Sequence, residues 1–242
     1  MRLIFYILLF QIFLFSTSAV GKEPVSPEKQ ALRMVKKNAA LLEATSQLLV
    51  VFNEASGQDL AVLVAMEKRN GKWQAIAPPM QAGIGRKGFA APGAKREGDN
   101  HSPTGLFRLG QLFCYDKNVD TQIPFIQTTP EDKWIDDPNS TDYNRYIRGT
   151  TQAKSFEKLL LNGNDYRYCM VIEYNTHPVV KGNGSAIFLH LSEFDTINSS
   201  SGCVVLLQKD MEKLLKWMNP ESNPSILMGT QKELMGGLKK LK

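Results

Sequence analysis

Asn70-Gly71 stands between two β-like runs, residues 60–66 and 72–76. An Asn-Gly pair accepts positive φ at both positions, as a two-residue type I′ turn demands, so the flanking runs are expected to pair as an antiparallel hairpin. Lys72-Trp73-Gln74-Ala75-Ile76 alternates as a half-buried strand should, and a third β-like run, 47–52, comes earlier with Glu54-Ala55-Ser56-Gly57 as turn material after it. The domain is therefore expected to open as a β-meander. Before it, Ser26-Pro27-Glu28 is a helix start, with Ser as cap and Pro in the first turn, and the Ala-, Leu-, Lys- and Glu-rich stretch to about residue 44 reads as one helix.

Further along, residues 83–110 are rich in Gly and Pro and read as a long ordered loop or a set of short turns. A helix is expected over 153–161, stopped by Asn162-Gly163, and a strand over 166–174. Residues 186–189 form a short apolar strand with His190 at its end, and 204–207 form another. Met211, Leu214, Leu215 and Met218 fall at helical spacing up to Asn219-Pro220, a stripe suited to core packing. The sum is a single α+β domain, predominantly β, with a sandwich-type sheet core and peripheral helices.

Only three cysteines are present, Cys114, Cys169 and Cys203. They cannot staple a domain of this size, so its core must hold it, and an odd number leaves at least one thiol free. Met1-Arg2, the apolar run 3–15 and the small residues 16–21 follow the order of a secretory signal, and the apolar part is shorter than the ~20 residues that span a bilayer. An exported protein of the periplasm or cell envelope is expected, without a stable membrane span once the signal is removed. The expected organisation is a signal at 1–21, a helical segment at 22–45, one domain at 46–229 and a basic tail at 230–242. The formal charge of +5 is scattered apart from Lys239-Lys240-Leu241-Lys242. It suits loose attraction to an anionic matrix such as a cell wall, and no nucleic-acid partner is implied.

Several motifs fail on context. Gly83-Ile84-Gly85-Arg86-Lys87-Gly88 fits G-x-G-x-x-G, but Pro78-Pro79 precedes it and Phe89-Ala90-Ala91-Pro92 follows, where a dinucleotide fold needs a strand and then a helix. Ser155-Phe156-Glu157-Lys158 fits S-x-x-K without its companion K-T-G. No His or Cys pair has ligand spacing, and Asp132, Asp136 and Asp137 lack the glycine of a calcium loop, so no metal is expected.

The chemistry gathers at Gly184-Ser185-Ala186-Ile187-Phe188-Leu189-His190 and Ser199-Ser200-Ser201-Gly202-Cys203-Val204, with the Cys 13 positions after the His. A thiol becomes a nucleophile when a nearby base takes its proton, and imidazole serves at neutral pH. Ser201 and Gly202 allow a sharp turn that can aim backbone N–H groups at an oxyanion. The same residues can equally be a buried thiol and a satisfied core histidine.

This segment resembles the active-site signature of the L,D-transpeptidase (YkuD-type) catalytic domain, in particular a branch reading F-L-H and then T-x-G-C-V-x-L. Lys95-Arg96-Glu97-Gly98-Asp99 with 102–110 resembles that branch's K-x-E-G-D…T-P-x-G-x-F-x-L-G. Trp134 to Ser140 with Tyr143-Asn144 resembles W-x-x-D-P-x-S…Y-N, and Val171-Ile172-Glu173-Tyr174-Asn175 resembles the strand before the catalytic His. The resemblance covers about 46–229. Three positions depart from the wider family: Ser201 where His is frequent, Val205 where Arg or Asn is frequent, and Leu191 where a small or hydroxyl residue is frequent.

The resemblance implies that Cys203 attacks a peptidoglycan tetrapeptide stem, with His190 as base and then as acid for the departing D-alanine. An amine of a second stem then takes the acyl group, and no cofactor is implied. Lys95, Arg96, Glu97 and Asp99 would touch carboxylates and amines of the stem, or merely solvate a loop. Arg145 and Asn175 are further candidates for substrate contact. His101 and His177 read as structural. Water as acceptor, giving an L,D-carboxypeptidase or another cysteine peptidase, and a wall-binding module without chemistry are the alternatives. A sortase needs an Arg after the Cys, and none occurs after Arg167; a papain-like order places the Cys first.

Overall fold

The computed structural model describes residues 24–239; the signal-like segment at 1–21 and residues 240–242 lie outside the described residues. Helix α1 (Pro27–Lys37) leads into β1 (Gln47–Asn53), β2 (Leu60–Arg69) and β3 (Lys72–Ala75), the expected meander. Then come β4 (Met80–Gly83), β5 (Gly105–Cys114), β6 (Phe125–Gln127), β7 (Asp132–Ile135), β8 (Tyr146–Arg148) and β9 (Phe156–Lys158). The chain finishes with β10 (Tyr168–Ile172), β11 (Phe188–Leu191), β12 (Val204–Leu206), α2 (Gln208–Trp217), β13 (Ser225–Thr230) and α3 (Gln231–Gly236). Asn70 and Gly71 have φ of 50° and 75°, and Arg69 faces Lys72 across them, as the turn chemistry requires.

The main sheet runs β1-β13-β5-β10-β11-β12-β4-β2, and β1 pairs with β2, so the two layers of the sandwich join at their edges. Period-two alternation sends every second residue inward: Leu49 and Val51, Leu63 and Ala65, Met170 and Ile172, Leu189 and Leu191, Val204 and Leu206, Ile226 and Met228. Met211, Leu214, Leu215 and Met218 of α2 belong to the same core, which is the role their spacing suggested. The outer face of β1, β2 and β13 is covered by α1 and α3, through Met34, Val35 and Leu234 against Leu48, Val50 and Leu227. Cover on both faces explains why β1 is apolar from Leu48 to Phe52 and buried at every position.

Three expectations are corrected. The opening helix stops at Lys37 rather than about 44. Asn38 ends it by turning its amide to Met34 O (2.7 Å) and Leu234 O (2.9 Å), which ties α1 to α3. The stretch 83–110 is not all loop: β4 ends at Gly83, and residues 105–110 begin a strand of ten residues paired with β13 and β10. Residues 153–161 form no helix. Phe156 and Glu157 pair with Ile135 and Trp134 of β7, and Leu159 N donates to Asp132 O, because the free edge of β7 needs partners that a helix cannot supply.

The small sheet β8-β7-β9 hangs on Asp132, whose side chain is fully buried. It accepts from Arg148 Nε (2.7 Å), Tyr146 OH (2.6 Å) and Thr129 N (2.6 Å). Burial alone would raise its pKa, but these donors outweigh it and hold the carboxyl below the usual range. Asp132→Ala is expected to cost about 1–3 kcal/mol by leaving buried donors unpaired, read as a lower melting temperature. A depressed folded pKa stabilises above the unfolded value of about 3.9 and is lost as pH falls below it. The parent should therefore lose this contribution in acid, and the variant should have none to lose.

Candidate active site

Strands β11 and β12 run parallel, with Leu189 opposite Val204 and His190 opposite Val205. Because Leu189, Leu191, Val204 and Leu206 point into the core, alternation leaves Phe188, His190 and Cys203 on the outer face. The histidine lies within its strand rather than at the end, since β11 runs on to Leu191. This face is roofed by aromatic rings. Trp134 meets Phe188 edge-on at 5.4 Å between centroids, and Tyr166 meets Phe188 at 5.8 Å and His190 at 5.0 Å.

Side-chain hydroxyls hold the turn before Cys203. Ser200 Oγ donates to Cys203 O (2.8 Å) and accepts from Gly202 N (3.0 Å). Ser102 Oγ, which accepts from Gly85 N (2.9 Å), donates to Gly202 O (2.7 Å). Gly202 has φ of 153°, and a Cβ there would come within 3.0 Å of His101 O and 3.1 Å of Ile187 Cδ1. Only glycine suits this position. Ser201 points outward and accepts from Arg86 Nη2 (2.9 Å).

His190 Nδ1 lies 2.9 Å from Leu191 O. A carbonyl only accepts, so Nδ1 carries the proton and Nε2 keeps the lone pair, the tautomer a base needs. Burial lowers the pKa of His190 to about 4, against the pull of the Leu191 and Asp165 carbonyls, so the ring is neutral at pH 7. Cys203, only 8% exposed, has its thiol pushed up to about 12, chiefly by burial. The Glu157 charge adds to that rise, while the Phe188 N–H and the Lys95 charge oppose it. Its Sγ donates to Ala186 O (3.3 Å) and accepts from Phe188 N (3.3 Å), so neither bond goes to His190. At rest the site therefore holds a protonated thiol and a neutral imidazole, not an ion pair.

The other candidate residues divide. Lys95 is 4% exposed, with Nζ bonded to Asp99 Oδ1 (2.6 Å) and Arg96 O (2.8 Å), and its chain passes beside Gly184 and Gly202. Asp99 also accepts from the backbone N of Arg96 and His101. Glu97 accepts from Tyr143 OH and from Ser185 Oγ, next to the segment that carries His190. Arg96 is exposed and turns back to Gly93 O and Lys95 O. Asn175 is spent on its own loop, bonding Val180 N, Val180 O and Gly184 O. Arg145 is exposed and makes no side-chain bond to this group among the described residues.

Sequence reasoning missed Tyr166 and Glu157. Glu157, on β9, is largely buried; burial, with Asp136 and Glu97, raises its pKa, while the Tyr166 hydroxyl lowers it. Its placement could not be read once 153–161 was taken as a helix. Asn144 joins Trp134 Nε1 (2.8 Å), Ala186 N (3.1 Å) and Asn175 O (2.7 Å), fastening the small sheet to the segment before β11. The W-x-x-D-P…Y-N pattern was the available signal for that bracket.

The sequence matches the L,D-transpeptidase catalytic domain family, YkuD, over residues 49–231. No curated protein sequence gives a match. Among solved structures, the helical cell shape determining protein Pgp2 from Campylobacter jejuni is 12% identical, with a TM-score of 0.40. The alignment covers 87% of this chain and 61% of that one, so the chain spans less than two thirds of Pgp2. A likeness this distant fixes neither fold nor activity. The family match takes in every strand from the middle of β1 through β13, together with His190 and Cys203, and the mostly-β fold agrees with it. The chain belongs to the L,D-transpeptidase catalytic domain (YkuD) family.

Proposed function

We propose that this protein is an exported peptidoglycan L,D-transpeptidase in which Cys203 is the acyl carrier and His190 its base. The observation that carries the reading is that the two side chains share one face of adjacent parallel strands, with His190 held as the Nδ1–H tautomer. The thiol proton, shared with Ala186 O at rest, passes to Nε2, and the sulfur's electron pair attacks the carbonyl of the third stem residue. The terminal D-alanine leaves with a proton from His190, and an amine of a second stem takes the acyl group from the thioester. Gly202 N–H is held by Ser200 Oγ, so the Cys203 N–H is the turn donor suited to the oxyanion. Export to the periplasm or cell envelope rests on the pattern of residues 1–21, and no helix among the described residues is long and apolar enough to cross a membrane.

Purified protein incubated with tetrapeptide muropeptides is expected to release D-alanine and form 3→3 dimers, read by mass spectrometry. Tripeptide products alone would reassign the acceptor to water. Unchanged muropeptides would sink the reading. An acyl-enzyme on sulfur also predicts one carbapenem adduct per chain, on Cys203, with poor acylation by many penicillins. Intact-mass spectra and peptide mapping check both.

A further inference from the structure

Between the two segments that carry His190 and Cys203 runs a buried cation that the proposed mechanism leaves unused. Lys95 comes from the loop between β4 and β5, and its aliphatic chain lies against two backbone positions that have no side chain of their own. A Cβ on Gly184 would stand 3.3 Å from Lys95 Cε, and one on Gly202, adjacent to Cys203, 3.6 Å from it. A side chain at Gly184 would press on the lysine, while the distance at Gly202 is an ordinary van der Waals contact that places the chain beside the turn before Cys203.

An ammonium has three N–H donors. Those of Lys95 reach Asp99 Oδ1 (2.6 Å) and Arg96 O (2.8 Å), and the third has no protein acceptor among the described residues. Asp99 balances the charge of this lysine, only 4% exposed, and the third N–H is left for a further acceptor. Asp99 anchors the chain: burial alone would raise its pKa, but bonds from Lys95 and from the N–H groups of His101 and Arg96 hold it ionised.

The titratable groups around Cys203 come from several elements. They are Glu157 from β9, Tyr166, Cys169 from β10 and Lys95 from the loop, with His190 from β11 packed against the Tyr166 ring. Glu157 disfavours a negative sulfur, and the neutral His190 gives it no charge until it has taken the proton. Lys95 is the cation whose charge reaches the thiol.

We propose that Lys95 is the charge partner of Cys203, its buried ammonium stabilising the thiolate left when the S–H bond breaks and the proton moves to His190 Nε2. The sulfur keeps the electron pair and Lys95 keeps its own protons, so its part is electrostatic. This differs from a contact to the stem peptide, and it rests on Cys203 being the nucleophile of the proposed function.

The test is the rate at which iodoacetamide alkylates Cys203 across pH, followed by intact mass and peptide mapping. Lys95→Met keeps the chain length and removes the charge. Its thiol pKa is expected to rise, slowing alkylation at pH 7 about tenfold for each unit, while Lys95→Arg stays close to the parent. Lys95→Met also leaves Asp99 unpaired and is expected to lower the melting temperature. Lys95→Met/Asp99→Asn removes both charges, and it should regain stability yet still alkylate slowly. If both Met-bearing proteins follow the parent's pH profile, or the double variant returns to it, the proposal is overturned. Alkylation needs no peptidoglycan, so a parent protein that fails to turn over muropeptides breaks the acyl-transfer reading without touching this measurement.

Discussion

Cys203→Ala is expected to abolish acyl transfer while the protein stays folded. The other thiols are shut off from substrate: Cys114 and Cys169 have no exposed surface, whereas Cys203 keeps 8%. Structurally the change removes one sulfur from a cluster that keeps Phe113, Trp134, Tyr166, Val171 and Phe188. That is a loss comparable to a single buried methyl, about 1 kcal/mol. Cys114→Ala and Cys169→Ala should keep activity. Muropeptide turnover and thermal melting on the three variants separate the roles, and full turnover by Cys203→Ala would falsify the assignment of the nucleophile.

His190→Ala should cut turnover by ~10²–10⁴-fold, the usual cost of an acid–base group, with His101→Ala and His177→Ala as controls that do not. The pH profile carries more information than the rate. With its pKa lowered to about 4, His190 is already a free base over the whole neutral range, so the acid limb of kcat/KM should inflect well below 6.5. The sign for stability follows from the same burial. A histidine held neutral in the fold binds its proton more readily unfolded, so its contribution is complete above about 6.5 and is lost as pH falls towards about 4. Melting temperatures measured from pH 7 to pH 4 should therefore fall less steeply for His190→Gln than for the parent. An inflection at 6.5 together with equal acid sensitivity would mean that the imidazole is solvated and not the buried base described above.

Local chemistry made the meander legible. Asn70-Gly71 dictates its turn whatever lies beyond it, and the alternation after it is local as well. The stripe of α2 and the strands around His190 and Cys203 were likewise readable from neighbouring residues. The weak points were short strands whose reason to exist is a distant partner. Phe156–Lys158 has too few residues to show a period, and only the open edge of β7 makes it a strand. The same holds for β13, which joins β1 to β5 across most of the chain and has little of its own to announce it.

The site divides along the same line. Residue types and a 13-residue spacing made Cys203 and His190 candidates, and the resemblance to the L,D-transpeptidase signature singled them out. Whether the two share a face depends on strand register, and register depends on which strands pair. Tyr166, Glu157 and Lys95 reach the thiol from three other parts of the chain, and no local pattern can announce such a meeting. The protonation states belong wholly to the tertiary structure. A free thiol titrates near ~8.5 and a free imidazole near ~6.5, and what moves them is the amount of protein that stands between these groups and water.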